Sequence, residues 1–227
     1  MKICAIIPAY NEEKNIKNLI IDVEKFCDRV LVIDDGSGDR TAEEVRKTGA
    51  EMIRHETNKG KGNAVSTGFA RAKKMDIDAV VLMDGDGQHD PGDIENLVSK
   101  MEQTKADIVL GSRMNNLENM PLIRKLTNKF MSWLLGRFTG VIFEDSQCGF
   151  RLVKKSVIEN INCVMSRFEI ESELIIKAAR AGYKMVNAPV KTIYGEERSK
   201  IRPLRDTGRF IKFMFLMILD RGRGEGK

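Results

Sequence analysis

Val80-Val81-Leu82-Met83-Asp84-Gly85-Asp86-Gly87-Gln88-His89-Asp90-Pro91 is an apolar run that stops abruptly at two carboxylates one residue apart. Four successive apolar residues read as an inner strand. The glycines behind them let the backbone turn sharply and come close to a ligand. Alternate side chains of an extended segment point the same way, so Asp84, Asp86 and the amide oxygen of Gln88 could all face one hard cation. An all-oxygen set suits Mg²⁺ or Mn²⁺ and leaves coordination positions open for substrate phosphates. Asp90 and Pro91 read as the cap and first residue of the next helix, which uses one acid and leaves the others unexplained. His89 beside this set reads as a loop-packing residue.

Outward from this strand the chain alternates strand and helix. Ile3 to Pro8 reads as a strand, and Asn11 opens a helix whose Ile16, Leu19, Ile20, Val23 and Phe26 recur at helical spacing. Arg29 to Ile33 is the next strand, and Thr41 with Glu44 forms a capping box for a second helix. Met52-Ile53 marks a short strand, Gly62 to Lys74 a helix, Pro91 to Gln103 a helix after the metal-side strand, and Asp107 to Gly111 another strand. The alternation predicts an α/β fold with a mostly parallel sheet and ligands at the carboxyl ends of its strands. In the second half, Leu122, Ile123, Leu126, Phe130, Trp133, Leu134 and Phe138 mark one amphipathic helix. Ile170, Leu174, Ile175, Ala178 and Ala179 mark another that stops at Gly182. Tyr183 to Ile193 reads as extended, with Pro189 signalling an edge or a break.

A chain of 227 residues, 42% hydrophobic, can bury one sizeable core. It reads as one domain over residues 1–203 followed by a basic, amphipathic C-terminal helix and tail over 204–227. The start on Met1-Lys2-Ile3, almost directly in a strand, argues against a cleaved leader. Cys4, Cys27, Cys148 and Cys163 form no C-x-x-C pair and read as reduced packing residues of a cytoplasmic protein. The formal charge is +5, and the last 37 residues carry ten basic and five acidic side chains, so residues before Lys191 are balanced. That balance argues against a nucleic-acid partner. The basic tail is interleaved with the apolar stretch Phe210 to Leu219, half of the ~20 residues a membrane span needs. Basic plus apolar fits peripheral contact with an anionic membrane surface, with packing on the core or on a second subunit as the alternative.

Three acidic or glycine-rich loops follow strands: Pro8-Ala9-Tyr10-Asn11-Glu12, Asp34-Asp35-Gly36-Ser37 and Asp84-Gly85-Asp86. In an α/β sheet they converge on one edge. A carboxylate after an early strand suits the ribose or base of a nucleotide, and the metal then takes the diphosphate. The dinucleotide glycine fingerprint and the Walker A loop are both absent, and Gly60-Lys61-Gly62 is a fragment whose lysine could lie near phosphates.

With Gly111-Ser112-Arg113, Asp145-Ser146-Gln147-Cys148-Gly149-Phe150-Arg151 and Ser199-Lys200-Ile201 following in order, the chain resembles inverting family 2 glycosyltransferases of the GT-A fold. Within them it is most similar to the dolichyl-phosphate mannosyltransferase-like group. The resemblance covers about the first 200 residues. It implies a hexosyltransferase that moves a sugar from a nucleotide sugar to a polyprenyl phosphate. The donor would be held by Pro8, Tyr10, Glu12, Asp35, Asp84, Gly85 and Asp86, and the metal by Asp84, Asp86 and Gln88. Arg113 and Arg124 would hold the acceptor phosphate, Ser199 and Lys200 would lie in a mobile loop, and Asp86, Arg113 and Asp145 would carry catalysis.

A phosphate acceptor is already an anion and needs cations to approach a diphosphate, whereas a hydroxyl acceptor needs a general base. Guanidinium groups suit the first task. Asp145 could serve the second, or orient a loop. Glu169 and Glu171 are candidate sugar contacts. Mannosyltransferases of the group tend to place an arginine before their mobile loop, whereas this chain has Thr192-Ile193-Tyr194-Gly195-Glu196, with Lys191 or Arg198 as substitutes. GDP-mannose, UDP-glucose and a UDP-N-acetylhexosamine therefore all stay open as donors. The alternatives are transfer to a sugar hydroxyl of a glycolipid or polysaccharide, and a non-catalytic nucleotide-binding or receiver-like domain.

Overall fold

A computed structural model describes residues 1–114, 122–163, 169–191, 193, 208 and 213–214. Seven strands form one sheet: β1 (Ile3–Ala9), β2 (Arg29–Asp34), β3 (Glu51–Arg54), β4 (Ala79–Leu82), β5 (Ile108–Ser112), β6 (Arg151–Lys154) and β7 (Met185–Pro189). Their order is β3-β2-β1-β4-β6-β5-β7. The pairs β1·β2, β1·β4, β2·β3 and β5·β7 are parallel, and β6 runs antiparallel between β4 and β5. The α/β, mostly parallel expectation is met.

Among the described residues the helices on the two faces are α1 (Ile16–Val23), α2 (Thr41–Arg46), α3 (Lys61–Ala72), α4 (Asp93–Thr104), α5 (Leu122–Thr139), α6 (Lys155–Asn160) and α7 (Glu169–Arg180). The strand period of two sends side chains alternately to the two faces. In β1, Cys4 and Ile6 join the layer with α3, α5 and α7, while Ile3, Ala5, Ile7 and Ala9 join the layer with α1, α2 and α4. Burying both faces explains why β4 reads Ala-Val-Val-Leu without alternation. Phe213 and Met214, from the anticipated C-terminal helix, are each 3% exposed and sit in the core with Met131 and Leu135. Three cysteines are buried and all four are free, with burial pushing the Cys4 thiol to about 11 and Cys27 to about 12.

Several local expectations are corrected. The first helix starts at Ile16 rather than Asn11, which sits at φ +57°. The Asn11 side chain accepts from the Gly38 amide at 2.9 Å, and its own amide donates to Ser37 Oγ at 3.0 Å, tying the first two loops together. No capping box forms at α2. Thr41 is helical, its hydroxyl donates to Asp39 Oδ1, and Asp39 accepts the Thr41 amide, so Asp39 does the capping. α4 begins at Asp93, and Asp90 closes a turn before it by accepting from the Gly92 amide at 2.9 Å. Strand β6 and helix α6 were not anticipated.

Candidate active site

The carboxyl ends of β1, β2 and β4 lie side by side, since Ile6 pairs with Leu82 and Ala9 with Asp34. The three loops seen in the sequence therefore share one edge. The Asp35 amide donates to Ala9 O at 2.9 Å, which locks the first loop to the second. A Cβ on Gly85 would stand 3.1 Å from Pro8 O and 3.3 Å from Ala9 Cβ, so glycine there lets the first and third loops touch. Tyr10 is 42% exposed at this edge, and Glu12 is buried with its amide donating to Thr41 Oγ1 at 2.8 Å.

Asp35 is 3% exposed, and its oxygens accept from the Lys59 amide at 2.9 Å and the Gly60 amide at 2.8 Å. His55 Nδ1 lies 2.7 Å from Asp35 Oδ1, and His55 Nε2 lies 3.0 Å from Thr67 Oγ1. The acid thus shapes the loop that leads into α3. Its neighbour Asp34 is wholly buried, accepts from the Ser37 amide at 2.9 Å and faces Arg54 Nε at 3.1 Å.

Past β4, Asp86 Oδ1 accepts from the Gln88 amide at 3.0 Å, so Asp86 and Gln88 belong to one tight turn. Gln88 O accepts from the Ile193 amide at 2.9 Å, which brings the chain after β7 onto the turn. Among the described residues no three His, Cys, Asp or Glu side chains are grouped to hold a metal. The anticipated set counts only two acids and completes itself with an amide oxygen, a hard donor set that fits Mg²⁺ or Mn²⁺.

Lys61 was missed as a partner of this set. Its ammonium lies 2.5 Å from Asp84 Oδ1 and 2.6 Å from Glu171 Oε1. Burial opposes the charge on Lys61, but the two carboxylates outweigh it and hold its pKa above the ordinary lysine value. Burial would raise the Asp84 pKa, and Lys61, followed by His89, holds it below the usual range. His89 is 4% exposed, stacks on Phe150 with ring centroids 5.1 Å apart, and keeps Nε2 4.0 Å from Asp84 Oδ2. Burial is the main reason its pKa falls to about 4, so it is neutral at pH 7. That matches its reading as loop packing.

Glu171 continues the chain of charges. Its Oε2 lies 3.2 Å from Nη2 of Arg151, and its carbonyl accepts from Arg151 Nη1 at 2.8 Å. Arg151 has no exposed surface and also donates to Cys148 O and Ser146 O, each at 2.9 Å. It pins the Asp145–Phe150 loop against α7. Nothing in the sequence signals this role, because an arginine at a strand's start reads as a surface residue. A Cβ on Gly149 would fall 2.9 Å from Asp84 Oδ2 and 3.2 Å from Lys61 Nζ. Glycine is what lets this loop cover the pair.

At the end of β5, Arg113 clasps Asp145 with a two-pronged fork, Nε to Oδ2 at 2.7 Å and Nη2 to Oδ1 at 3.0 Å. Asn128 of α5 donates to Asp145 Oδ1 at 2.7 Å. Burial pushes the Asp145 carboxyl up, and the Arg113 hydrogen bond and charge more than reverse that, holding it below the usual range. The fork spends two of the five N–H donors a guanidinium has. Of the other anticipated residues, Glu169 opens α7 and Arg124 lies in the first turn of α5, but the Arg124 side chain is outside the described residues. Ser199, Lys200 and Arg198 also fall outside them. Lys191 faces Asp90 with 3.7 Å between Nζ and Oδ2.

The chain is 34% identical over 214 residues to a UDP-N-acetylglucosamine–dolichyl-phosphate N-acetylglucosaminyltransferase of Methanococcus voltae, covering 84% of this chain and 85% of that protein. It is 32% identical over 203 residues to a dolichol-phosphate mannosyltransferase of Pyrococcus furiosus, covering 83% of this chain and 56% of that longer protein. The fold matches Mycobacterium tuberculosis glucosyl-3-phosphoglycerate synthase, solved with Mn²⁺, UDP and glucosyl-3-phosphoglycerate. The TM-score is 0.71 at 19% identity, over 97% of this chain and 79% of that one. Residues 4–161 match the family model for glycosyl transferase family 2. Fold, loops and sequence thus meet in one assignment: the chain belongs to glycosyl transferase family 2 and is a GT-A glycosyltransferase.

Proposed function

We propose that this glycosyltransferase moves a hexose from a nucleoside-diphosphate sugar onto the phosphate of a polyprenyl phosphate, inverting the anomeric centre. The observation that carries the reading is the Arg113–Asp145 fork. A carboxylate held below its usual range is a poor base for a hydroxyl, so Asp145 does not suit a hydroxyl acceptor. An arginine whose plane is fixed by a fork, with N–H donors to spare, suits an acceptor that is already an anion. Both relatives described above carry names of dolichyl-phosphate transferases.

On the donor side, Tyr10, Glu12 and the Asp35 loop form the wall for the nucleoside, and Asp84, Gly85 and Asp86 the floor for the diphosphate. Asp84, Asp86 and Gln88 would hold Mg²⁺ or Mn²⁺, which neutralises charge on the departing nucleoside diphosphate. The residues of the chain act by positioning and electrostatics, with no covalent intermediate. A relative that this chain matches over 84% of its own length and 85% of that protein's is named for UDP-N-acetylglucosamine, so a UDP-N-acetylhexosamine is our first choice of donor.

We also place the enzyme peripherally on the cytoplasmic face of the membrane. No helix among the described residues is long and apolar enough to cross a bilayer. Helix α5 exposes Ile123, Leu126, Phe130 and Trp133 on one side, with Trp133 64% exposed. Such a stripe, on the helix whose Asn128 reaches the Arg113–Asp145 fork, suits a lipid that must deliver its phosphate to the site.

Incubation with labelled UDP-GlcNAc, UDP-Glc and GDP-Man plus polyprenyl phosphate and Mn²⁺ tests the whole reading. We expect an acid-labile lipid-linked sugar from one donor. Transfer to glycan hydroxyls in place of the lipid phosphate would overturn it.

A further inference from the structure

We infer that Lys61 is a resident counter-ion of the metal site, competing with the divalent cation for Asp84. This rests on the metal reading above and goes beyond it, because it gives the chain its own control over when the metal enters. The Lys61 ammonium stands between two carboxylates, 2.5 Å from Asp84 Oδ1 and 2.6 Å from Glu171 Oε1. Asp84 and Glu171 come from different elements, the end of β4 and the first turn of α7, and Lys61 opens α3. One positive side chain therefore ties together three elements at the floor of the donor site.

The surroundings fix this ion pair rather than merely allow it. Gly149 leaves no room for a side chain between its loop and the pair. Arg151 holds the other oxygen of Glu171 at 3.2 Å, which keeps that carboxylate aimed at Lys61. His89 closes the far side of Asp84, and its Nδ1 is buried without a hydrogen-bond partner among the described residues. Lys61 is 17% and Glu171 10% exposed at the side chain, whereas Asp84 is 30% exposed, so the open side of the cluster lies at Asp84.

A divalent ion arriving on that open side meets a carboxylate whose charge is already balanced. Its affinity is lowered by the energy needed to draw Asp84 off the ammonium. The ammonium does not lose its counter-charge in the exchange, because Glu171 retains it. The ligand-free enzyme would then hold metal weakly, and the donor's own diphosphate oxygens would supply the missing coordination. Metal and donor would enter as one unit.

The test measures Mn²⁺ binding to the full-length, ligand-free protein by the loss of the free-ion electron paramagnetic resonance signal, with no turnover involved. Removing the ammonium takes from Asp84 its nearest counter-charge while Arg151 still pairs with Glu171, so Lys61→Met should bind Mn²⁺ at least about tenfold more tightly than wild type. Glu171→Gln removes one of the two carboxylates that hold the Lys61 ammonium, leaves more of its charge to Asp84 and should bind Mn²⁺ more weakly. Lys61→Gln keeps hydrogen-bond donors without the charge, and carries the same expectation as Lys61→Met should that variant not fold by circular dichroism. Equal affinities for wild type and the uncharged Lys61 variants, within about twofold and including no binding by any of them, overturn the inference. Asp86→Asn separates this failure from failure of the metal reading. Wild-type Mn²⁺ affinity in that variant would mean the ion sits elsewhere.

Discussion

Asp145 accepts from three nitrogens of Arg113, its backbone amide and two of its guanidinium, from Asn128 and from the Gln147 amide at 3.2 Å, so it organises this end of the site from within. Asp145→Asn keeps the shape but leaves a mostly buried guanidinium without its counter-charge, which costs about 3–5 kcal/mol of stability. The carboxyl titrates below its unfolded value, so it stabilises the fold above about pH 4 and that contribution is lost as pH falls further. Asp145→Asn should therefore flatten the acid limb of a stability–pH profile measured by urea unfolding. Arg113→Lys replaces the fork with a point charge and should lower turnover about a hundredfold. Asp86→Ala should abolish transfer while the circular dichroism spectrum stays that of the wild type, and unchanged rates would remove Asp86 from the mechanism. The acids of this edge were legible in the sequence because they interrupt apolar strands. Lys61, Arg151 and His55 were not, because their roles come from partners on distant segments: Lys61 meets Glu171, and His55 meets Asp35 and Thr67.

Among the elements, β1, β2, β4 and β5 were readable because each is an apolar run closed by acids or glycine. Strand β6 was not, since Arg151-Leu152-Val153-Lys154 is four residues flanked by charge, and its state is set by ladders to β4 and β5. The start of α1 was misplaced because Asn11 has the signature of a cap but spends its side chain bridging two loops. Helix α5 was recognised by its apolar period, but most of that stripe is its exposed side. Met131 and Leu135, outside that stripe, point into the core, while the Phe130 and Trp133 rings lie tilted on the exposed side with centroids 6.2 Å apart. If the outer half meets lipid, the double change Phe130→Ser and Trp133→Ser should weaken flotation with anionic liposomes at least about tenfold without altering nucleotide binding. Undiminished flotation would clear α5 of that role. Phe213 and Met214 are spent on the core, so the described part of the C-terminal segment is no candidate for the same job.

At the scale of the molecule, the sheet divides into β3-β2-β1-β4, where we propose the donor binds, and β5-β7, where we propose the acceptor binds, joined through β6. The charge chain Asp84–Lys61–Glu171–Arg151 crosses the same seam, so the two halves share both a strand and an ion network. The seam also has a consequence for biosynthesis. β4 is complete at Leu82, but the strand that covers its open edge starts only at Arg151. At synthesis speeds of ~5–20 residues per second the nascent chain carries that uncovered, wholly apolar edge for roughly 3–14 s. Unpaired apolar edges recruit other chains. A fragment ending at residue 145 should therefore self-associate in light scattering, and one extended through residue 160 should do so far less. If both stay equally dispersed, the edge is protected by something other than β6. A ribosome pausing between Leu82 and Arg151 would be the point at which this enzyme is most exposed to loss.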